Sequence, residues 1–178
     1  MLYKQYIRTA ITYASPSWAP ITSHSNIEKL QRIQNKAFRV ATGCLRATAI
    51  PHLHCETKIL PLRDHLDMRG TQFCAPTLNE DHTCHSLHNR PPHSRHKKRD
   101  PITHYSSILQ SIGPLSPTPP TNADIHTSLT SLALSHEYTN PVLNGPPPEI
   151  CADETSLPRG ARTTLSQLRC GKHPSLHT

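Results

Sequence analysis

The most regular pattern of apolar and polar positions in this chain runs from Ser25 to Gly43. At about 100° per residue, the apolar side chains of this segment fall on one broad face, and they are Ile27, Leu30, Ile33, Ala37, Phe38, Val40 and Ala41. The basic side chains fall in a narrow arc on the opposite face, and we call them the basic stripe: Lys29, Arg32, Lys36 and Arg39. Ser25 or Asn26 can accept a hydrogen bond from a free backbone N–H at the N-terminus, and Gly43 suits the left-handed position after the last turn. The pattern predicts an amphipathic helix with Leu30, Ile33 and Phe38 in the core and the basic stripe in water.

A first helix is predicted before this segment, over residues 2–14, where apolar side chains also follow a helical period. The segment 15–20 ends it, because proline disfavours helix in the residue before it. Trp18 is the only tryptophan of the chain. We predict that Trp18 anchors the packing of the first helix against the basic helix, and the alternative is that it stacks on a nucleic-acid base.

Three shorter helical segments are predicted further along. Residues 51–58 suit one or two turns, and Pro61 opens a third helix whose pattern fades by Pro76. Residues 157–171 predict a C-terminal helix with Pro158 in its first turn. The apolar stripe of that last helix consists of Leu157, Ala161, Leu165 and Leu168.

The centre of the chain, residues 79–156, has a different composition. Residues 91–148 hold eleven of the eighteen prolines, and serine, threonine and asparagine fill much of the rest. Such a segment buries too little apolar surface to offset its loss of conformational entropy. We therefore predict a disordered centre, in which only weak helical islands at His104–Ile112 and Ile125–His136 form. The predicted fold class is mostly α, with a helical part at 1–78, a disordered Pro-rich linker at 79–156, a short C-terminal helix at 157–171 and a tail at 172–178.

Composition and charge narrow the classes of partner. The hydrophobic fraction of 34% and the aromatic fraction of 4% are low for a packed core. Nineteen Lys and Arg stand against twelve Asp and Glu, which gives a net charge of +7, and fourteen histidines can add to it in mild acid. This balance favours polyanions as partners, and nucleic acid before a membrane surface.

The N-terminal segment does not have the pattern of a secretion signal. Tyr3, Lys4, Gln5 and Arg8 interrupt any apolar run there, and no run in the chain is long enough to span a bilayer. We therefore predict an intracellular protein that is not secreted and does not enter a membrane. Its six cysteines are then expected to be free thiols rather than a disulfide framework.

Three segments of the chain combine into a pattern of consistent order and spacing. They are YKQYIRTAITYASPSWAP at 3–20, IEKLQRIQNKAFRVATG at 27–43 followed by LHCET and LPL within 53–62, and LPRGARTTLSQLRCG at 157–171. Together they resemble the region behind the polymerase domain in reverse transcriptases of Jockey-like non-LTR retrotransposons. In that family the three segments are a helix followed by Y-A-S/C-P-x-W, a helix lq-iQn-alR-itG, and L-P-R-x-x-R-x-x-L-x-Q-L-R-S-G, in which Cys170 replaces the usual serine.

The resemblance implies a thumb-like helical region and the connector behind it, in a protein that copies RNA into DNA at a nicked chromosomal target. Polymerisation in that family needs palm carboxylates, including an Asp-Asp pair, to hold two metal ions, but no two aspartates of this chain are adjacent. Fingers, palm and endonuclease segments are absent, and the first helix begins at Met1 without a cap, as in a segment entered midway. We therefore expect a fragment that is not an enzyme, uses no cofactor and binds no small-molecule substrate.

A second basic cluster lies in the predicted linker and consists of Arg95, Lys97, Lys98 and Arg99. Such a run is typical of nuclear targeting or of phosphate contact, and a basic stretch occupies a similar place in the family that the chain resembles. Together with the basic stripe it predicts weak, nonspecific binding to RNA or DNA backbone, in the nucleus if the run acts as a targeting signal. The alternative for both basic clusters is a surface that is merely solvated.

Two other interpretations stay open at this point. One is an expressed relic that is too poor in core residues to have a function. The other is a small zinc-dependent interaction module built on Cys74, His82, Cys84, His85 and His88. Zinc sites favour short C-x2–4-C and H-x3–5-H pairs, whereas Cys74-x7-His82-x-Cys84 contains no such pair and His85-x2-His88 is one residue too close, so we predict no metal ligands. No signature around a catalytic serine and no Gly-rich phosphate loop is present.

Overall fold

The computed structural model describes residues 3–90, 100–112, 120–134 and 149–176, and every regular element within these ranges is helical. The α-helices are α1 (Thr9–Thr12), α2 (Ser15–Trp18), α3 (His24–Thr42), α4 (Ile50–Thr57), α5 (Leu62–Cys74), α6 (Pro101–Ile112), α7 (Asn122–Leu134) and α8 (Arg159–Arg169). A π-helical stretch precedes α1, and short 3-10 turns complete the set: Tyr3–Arg8, then Ala75–Leu78, His85–Leu87, Ala152–Ser156 and Pro174–Leu176.

The prediction of a long disordered centre is wrong, because α6 and α7 lie within it. Tyr105 and Leu109 of α6 and Ile125 of α7 are at most 4% exposed, and they form a buried cluster with Cys74 at the end of α5. The average composition of residues 79–156 did not indicate this buried cluster. A helix is stabilised by a few apolar side chains at the correct spacing, and this does not need a high average content of apolar residues.

Both predicted helical islands overlap these two helices. The last two residues of the second island, 135 and 136, lie outside the described residues. The same is true of the prediction of disorder for 91–99, 113–119 and 135–148.

Two compact units make up the described part of the chain. The first consists of the described residues within Met1–Leu30 and Leu62–Ala133, and the second of those within Gln31–Pro61 and Leu134–Thr178. Each unit therefore joins an early part of the chain to a late one, whereas the sequence suggested successive segments divided after residues 78 and 156.

Helix α5 is the central helix of the first unit and packs against both α2 and α6. The side chains of Leu62 and Leu66 point into a buried cluster that also contains Ala19 and Ile27. Partly buried side chains pack against this cluster from the first half of the chain: Ile11, Trp18 and Leu30.

Gly70 lies in the middle of α5, where the ring of Tyr105 packs directly on its backbone. Glycine is expected to weaken a helix interior, because it loses the most backbone freedom on folding. At this position, however, the missing side chain is what allows α6 to approach α5, since a Cβ at Gly70 would overlap the Tyr105 ring. Tyr105 is only 2% exposed, so its ring is enclosed by the protein.

We expect Gly70→Ala to lower the free energy of unfolding by about 1–2 kcal/mol, because overpacking costs up to about 3 kcal/mol and the better helix propensity of alanine returns about 1. Urea unfolding measures the change. The matched control is Gly160→Ala in α8, where a Cβ would meet no atom within 4 Å, so that variant should be as stable as the original protein or slightly more. Equal stabilities for the two variants would show that Tyr105 does not need the gap.

His65 of α5 is partly buried in a positively charged environment. Burial, and to a smaller extent electrostatic repulsion from Arg8, Arg69 and His126, together lower its pKa to about 3. Because histidine in an unfolded chain has a pKa of about 6.5, the unfolded state binds a proton below that pH while the folded state leaves His65 neutral.

Stability should therefore fall as the pH is lowered from 6.5, by about 1–2 kcal/mol on reaching pH 5 after an allowance for solvent screening. Urea unfolding at a series of pH values measures this slope in the original protein and in His65→Gln, which should lose most of it. His52 and His88 also have lowered pKa values, in each case mainly because of burial, so the difference between the two proteins is the quantity to compare. Identical slopes would contradict a neutral, buried His65.

Helix α3 ends where the sequence predicts, but it buries a different face. Gly43 follows its last residue with a φ of +72°, in the left-handed region that glycine favours. Gln34 and Asn35 are 0% and 4% exposed, whereas Ile33 is 46% exposed and Val40 is 70% exposed. The assignment of Ile33 to the core is thus corrected.

Hydrogen bonds account for this shift of the buried face. Gln34 Nε2 donates to the carbonyl oxygen of Leu60 at 2.9 Å, and Gln31 Nε2 donates to Asn35 Oδ1 at 2.8 Å. A buried amide is tolerated when its hydrogen-bonding groups have partners. A pattern of hydropathy alone could not predict that these amides would lie inward.

Candidate nucleic-acid interface

Three of the four side chains of the basic stripe are exposed at the protein surface. Lys29, Arg32 and Lys36 are exposed on α3, and Lys29 Nζ also donates to Asn26 Oδ1 at 3.2 Å. From Lys29 to Lys36 the helix advances about 10 Å, since each residue adds about 1.5 Å. Three cations within this length can reach neighbouring phosphates of one nucleic-acid backbone.

Arg39, the fourth member, has a different environment. It is partly buried, and its Nη2 donates to the carbonyl oxygen of Thr48 at 3.2 Å. Arg39 is also the one cation of the stripe that belongs to the motif of the second resembling segment. The structure therefore gives it a role in holding the segment after α3, and the part that faces water consists of the other three.

The linker cations Arg95, Lys97, Lys98 and Arg99 lie outside the described residues.

Two of the predicted core residues are indeed at least partly shielded from solvent. Phe38 is 1% exposed and lies edge-on to the His54 ring, with 5.4 Å between the ring centroids. Trp18 is partly buried, and its Nε1 donates to the carbonyl oxygen of Tyr13 at 2.8 Å.

The second unit contains a buried ion cluster that the sequence did not reveal. Arg169 of α8 donates from Nε and Nη2 to the two carboxylate oxygens of Glu56 in α4, at 2.9 and 2.6 Å, and from Nη1 to Glu154 Oε1 at 2.6 Å. The side chains of Arg169, Glu56 and Glu154 are 9%, 7% and 14% exposed. Ser166 Oγ also donates to Glu56. We call Arg169, Glu56 and Glu154 the Arg169 cluster.

The electrostatics of this cluster follow from its hydrogen bonds. The bonds to Glu56 raise the pKa of Arg169 further above its already high value. The bond from Arg169 lowers the pKa of Glu154 below its usual value. Arg169 and Glu154 therefore both remain charged at neutral pH, and the buried Arg169 guanidinium has carboxylate partners, as burial of a charge requires.

Further bonds connect α8 to the end of α3. Gln167 Nε2 donates to the carbonyl oxygen of Gly43 at 2.9 Å, and Arg159 Nη2 donates to that of Val40 at 3.2 Å. Gly43 and Thr163 are so close that a side chain at Gly43 would collide with the threonine. The second and third resembling segments thus contact each other, and the LHCET piece contributes Glu56 to the same contact.

Helix α8 buries polar side chains against the rest of the second unit, whereas the sequence predicted that its apolar stripe would be buried. Ser166 and Arg169 are buried, while Leu157 and Leu168 are each 37% exposed. The reason is that Glu56 and the carbonyl groups at the end of α3 supply hydrogen-bonding partners, which an apolar side chain could not satisfy.

A cleft of about 360 Å³ lies along α8 beside the Arg169 cluster. Its walls include the exposed side chains Arg159 and Arg162. Because Arg169 is already neutralised by its two glutamates, these two arginines are the cations of the cleft that remain available to an anion. Sequence reasoning did not select them, although their spacing of three residues in L-P-R-x-x-R places them on one side of a helix.

The residues that were weighed as zinc ligands are not arranged as a site. Within the described ranges, no group of three or more His, Cys, Asp and Glu side chains is placed to hold a metal ion. Cys74 is buried in the apolar cluster of the first unit, and His88 Nε2 lies 2.8 Å from Thr77 Oγ1.

Among the helices in the part of the chain that the structure describes, none is long and apolar enough to cross a membrane. Comparison of the chain with protein-family models, with curated proteins and with solved structures finds no match.

Proposed function

We propose that this chain derives from the region behind the polymerase domain of a Jockey-like non-LTR retrotransposon reverse transcriptase, and that it binds nucleic-acid backbone without reading sequence. The observation that best supports binding is the exposure of Lys29, Arg32 and Lys36 along one side of α3. Lysine and arginine contact phosphate oxygens, and such contacts give affinity without base specificity.

The contacts of α8 support the proposed origin. The motif residues Gln167 and Arg169 bond to Gly43 and Glu56, which belong to the other resembling pieces. Residues that recur in a motif and bond to each other are expected when the motif preserves a fold. Among the exposed cations of the stripe, Arg32 and Lys36 lie at positions that the motif leaves variable and Lys29 precedes the motif, which is compatible with contacts to a backbone of any sequence.

The proposed activity is binding only. Nucleotide transfer by polymerases needs paired carboxylates that hold two metal ions, and the aspartates of this chain are never adjacent. We place the protein inside the cell, and in the nucleus if the basic run at 95–99 acts as a targeting signal.

Titration of the full chain against a fluorescently labelled RNA–DNA hybrid at several salt concentrations tests the proposal. We expect log K to fall linearly with log salt concentration, because each phosphate contact releases condensed counterions. Hybrids of different sequence should bind equally well at each salt concentration. Affinity that does not change with salt, or that changes strongly with sequence, would contradict backbone binding.

A further inference from the structure

Two cysteines from distant parts of the sequence meet in the second unit. Cys44 follows Gly43 at the end of α3, and Cys170 follows the last residue of α8. Their sulfur atoms are 3.9 Å apart, and the residues are 7% and 2% exposed. Both are free thiols in this structure, as are the other four cysteines.

The surrounding bonds hold these two sulfur atoms together. Gln167 donates to Gly43, next to Cys44 in the chain, and the Lys172 amide donates to the carbonyl oxygen of Gln167 at 2.9 Å in the turn after Cys170. The Arg169 cluster fixes the residue just before Cys170. Both cysteines are therefore positioned by their neighbours and not by a flexible terminus.

The chemistry of the pair is asymmetric. A hydrogen bond from Cys170, and a weaker contribution from Thr42, lower the pKa of Cys44 to about 7 against the opposing effect of burial. The hydrogen bond to Cys44 and burial raise the pKa of Cys170. Cys44 is thus partly a thiolate at neutral pH, and the thiolate is the form that reacts with oxidants.

A small molecule can reach this region. Cys170 lines a cleft of about 190 Å³, together with His52, Cys55 and Lys58. Hydrogen peroxide is far smaller than this cleft, so burial of the thiols from bulk solvent does not prevent access of a small oxidant.

We propose that Cys44 and Cys170 are an oxidation site, at which a peroxide converts the two thiols into a disulfide that fastens α8 to the end of α3. The Cys44 thiolate attacks one peroxide oxygen and forms a sulfenic acid, and the other oxygen leaves as hydroxide and takes up a proton to become water. The Cys170 thiol then attacks the sulfenic sulfur, which expels its hydroxyl with the thiol proton as a second water. Two thiols are oxidised by two electrons in total, and one peroxide is reduced to two waters.

The geometry needs only a small change. A disulfide has a sulfur–sulfur distance of about 2.05 Å, so the sulfur atoms must approach by about 1.9 Å from their separation of 3.9 Å. In a reducing compartment such a bond is transient and responds to oxidant. This inference does not depend on the proposed binding of nucleic acid.

Treatment of the full chain with hydrogen peroxide, followed by alkylation of the remaining thiols, protease digestion and mass spectrometry, tests the site. We expect a cross-linked peptide that joins Cys44 to Cys170, a loss of two of the six titratable thiols, and recovery of both on addition of dithiothreitol. The midpoint of thermal unfolding should rise by roughly 10 °C on oxidation, because the bond closes a loop of more than a hundred residues.

The control is Cys151→Ser, which removes an exposed thiol and should leave the cross-link unchanged. Cys170→Ser should abolish the cross-link and leave Cys44 as a sulfenic acid that a dimedone probe traps. The inference would be overturned if the unaltered protein gave no Cys44–Cys170 peptide and both thiols were alkylated or oxidised separately, and that measurement requires no variant to fold.

Discussion

Replacement of Arg169 by methionine should lower the free energy of unfolding by about 3–5 kcal/mol, because it leaves Glu56 buried without an opposite charge. Methionine retains much of the volume of the arginine stem, so the expected loss reflects charge and hydrogen bonds more than packing. Arg169 makes three short hydrogen bonds to Glu56 and Glu154, and all three side chains are at most 14% exposed. Urea unfolding followed by circular dichroism gives the free energy.

Two further variants separate the buried charge from other effects. Arg162→Met changes an exposed arginine of the same helix and should alter stability by less than about 0.5 kcal/mol. Adding Glu56→Gln to Arg169→Met removes the unpaired charge, so the double variant should be more stable than Arg169→Met alone, since contacting residues are not additive. A value for Arg169→Met within about 1 kcal/mol of the original protein would mean that the cluster contributes little.

The helices whose signals are local were predictable. Proline at the start and glycine at the end of a segment act on the neighbouring backbone, and both appear where the sequence indicated. Gly43 takes its left-handed φ after α3, Gly171 takes a φ of +62° after α8, and Pro158 immediately precedes α8. Such signals need no knowledge of the rest of the chain.

The orientation of the helices was not predictable by the same means. The buried face of α3 is set by the hydrogen bond from Gln34 to the carbonyl oxygen of Leu60. The buried face of α8 is set by the hydrogen bonds from Arg169 to Glu56. Arg169 and Glu56 are 113 positions apart in the sequence. The periodicity of apolar residues within either segment cannot predict a contact between residues so far apart. The packing of the two central helices was missed for a related reason, because Tyr105 and Ile125 are buried against the end of α5 and not within their own segments.

The candidate site was predicted in part for the same reason. Exposure of Lys29, Arg32 and Lys36 follows from their arc on α3, which the sequence shows. The hydrogen bond from Arg39 to Thr48 could not be predicted in this way, because it depends on where the chain runs after the end of α3. Whether Arg95 and its neighbours in the basic run contribute to binding stays a prediction.

The central claim is that the exposed cations of α3 contact phosphates, and the decisive variant changes Lys29, Arg32 and Lys36 together to Gln. Lysine, arginine and glutamine have similar helix propensities, so the circular dichroism spectrum should not change. If all three cations make contacts, the slope of log K against log salt should fall by up to about 2.7 and the affinity at 0.1 M salt by up to about 500-fold.

Arg39→Gln serves as the matched control on the same helix, and it should reduce stability through the loss of its bond to Thr48 while leaving the salt slope unchanged. The variant with Arg95, Lys97, Lys98 and Arg99 all changed to Gln tests the other source of nonspecific attraction.

The most direct measurement is therefore the salt slope of binding to an RNA–DNA hybrid, compared between the α3 triple variant and the linker variant. We expect the triple variant to lose salt slope and affinity together for every hybrid sequence. If the triple variant keeps the original slope while the linker variant loses it, then the stripe is only a solvated face and the central claim is wrong.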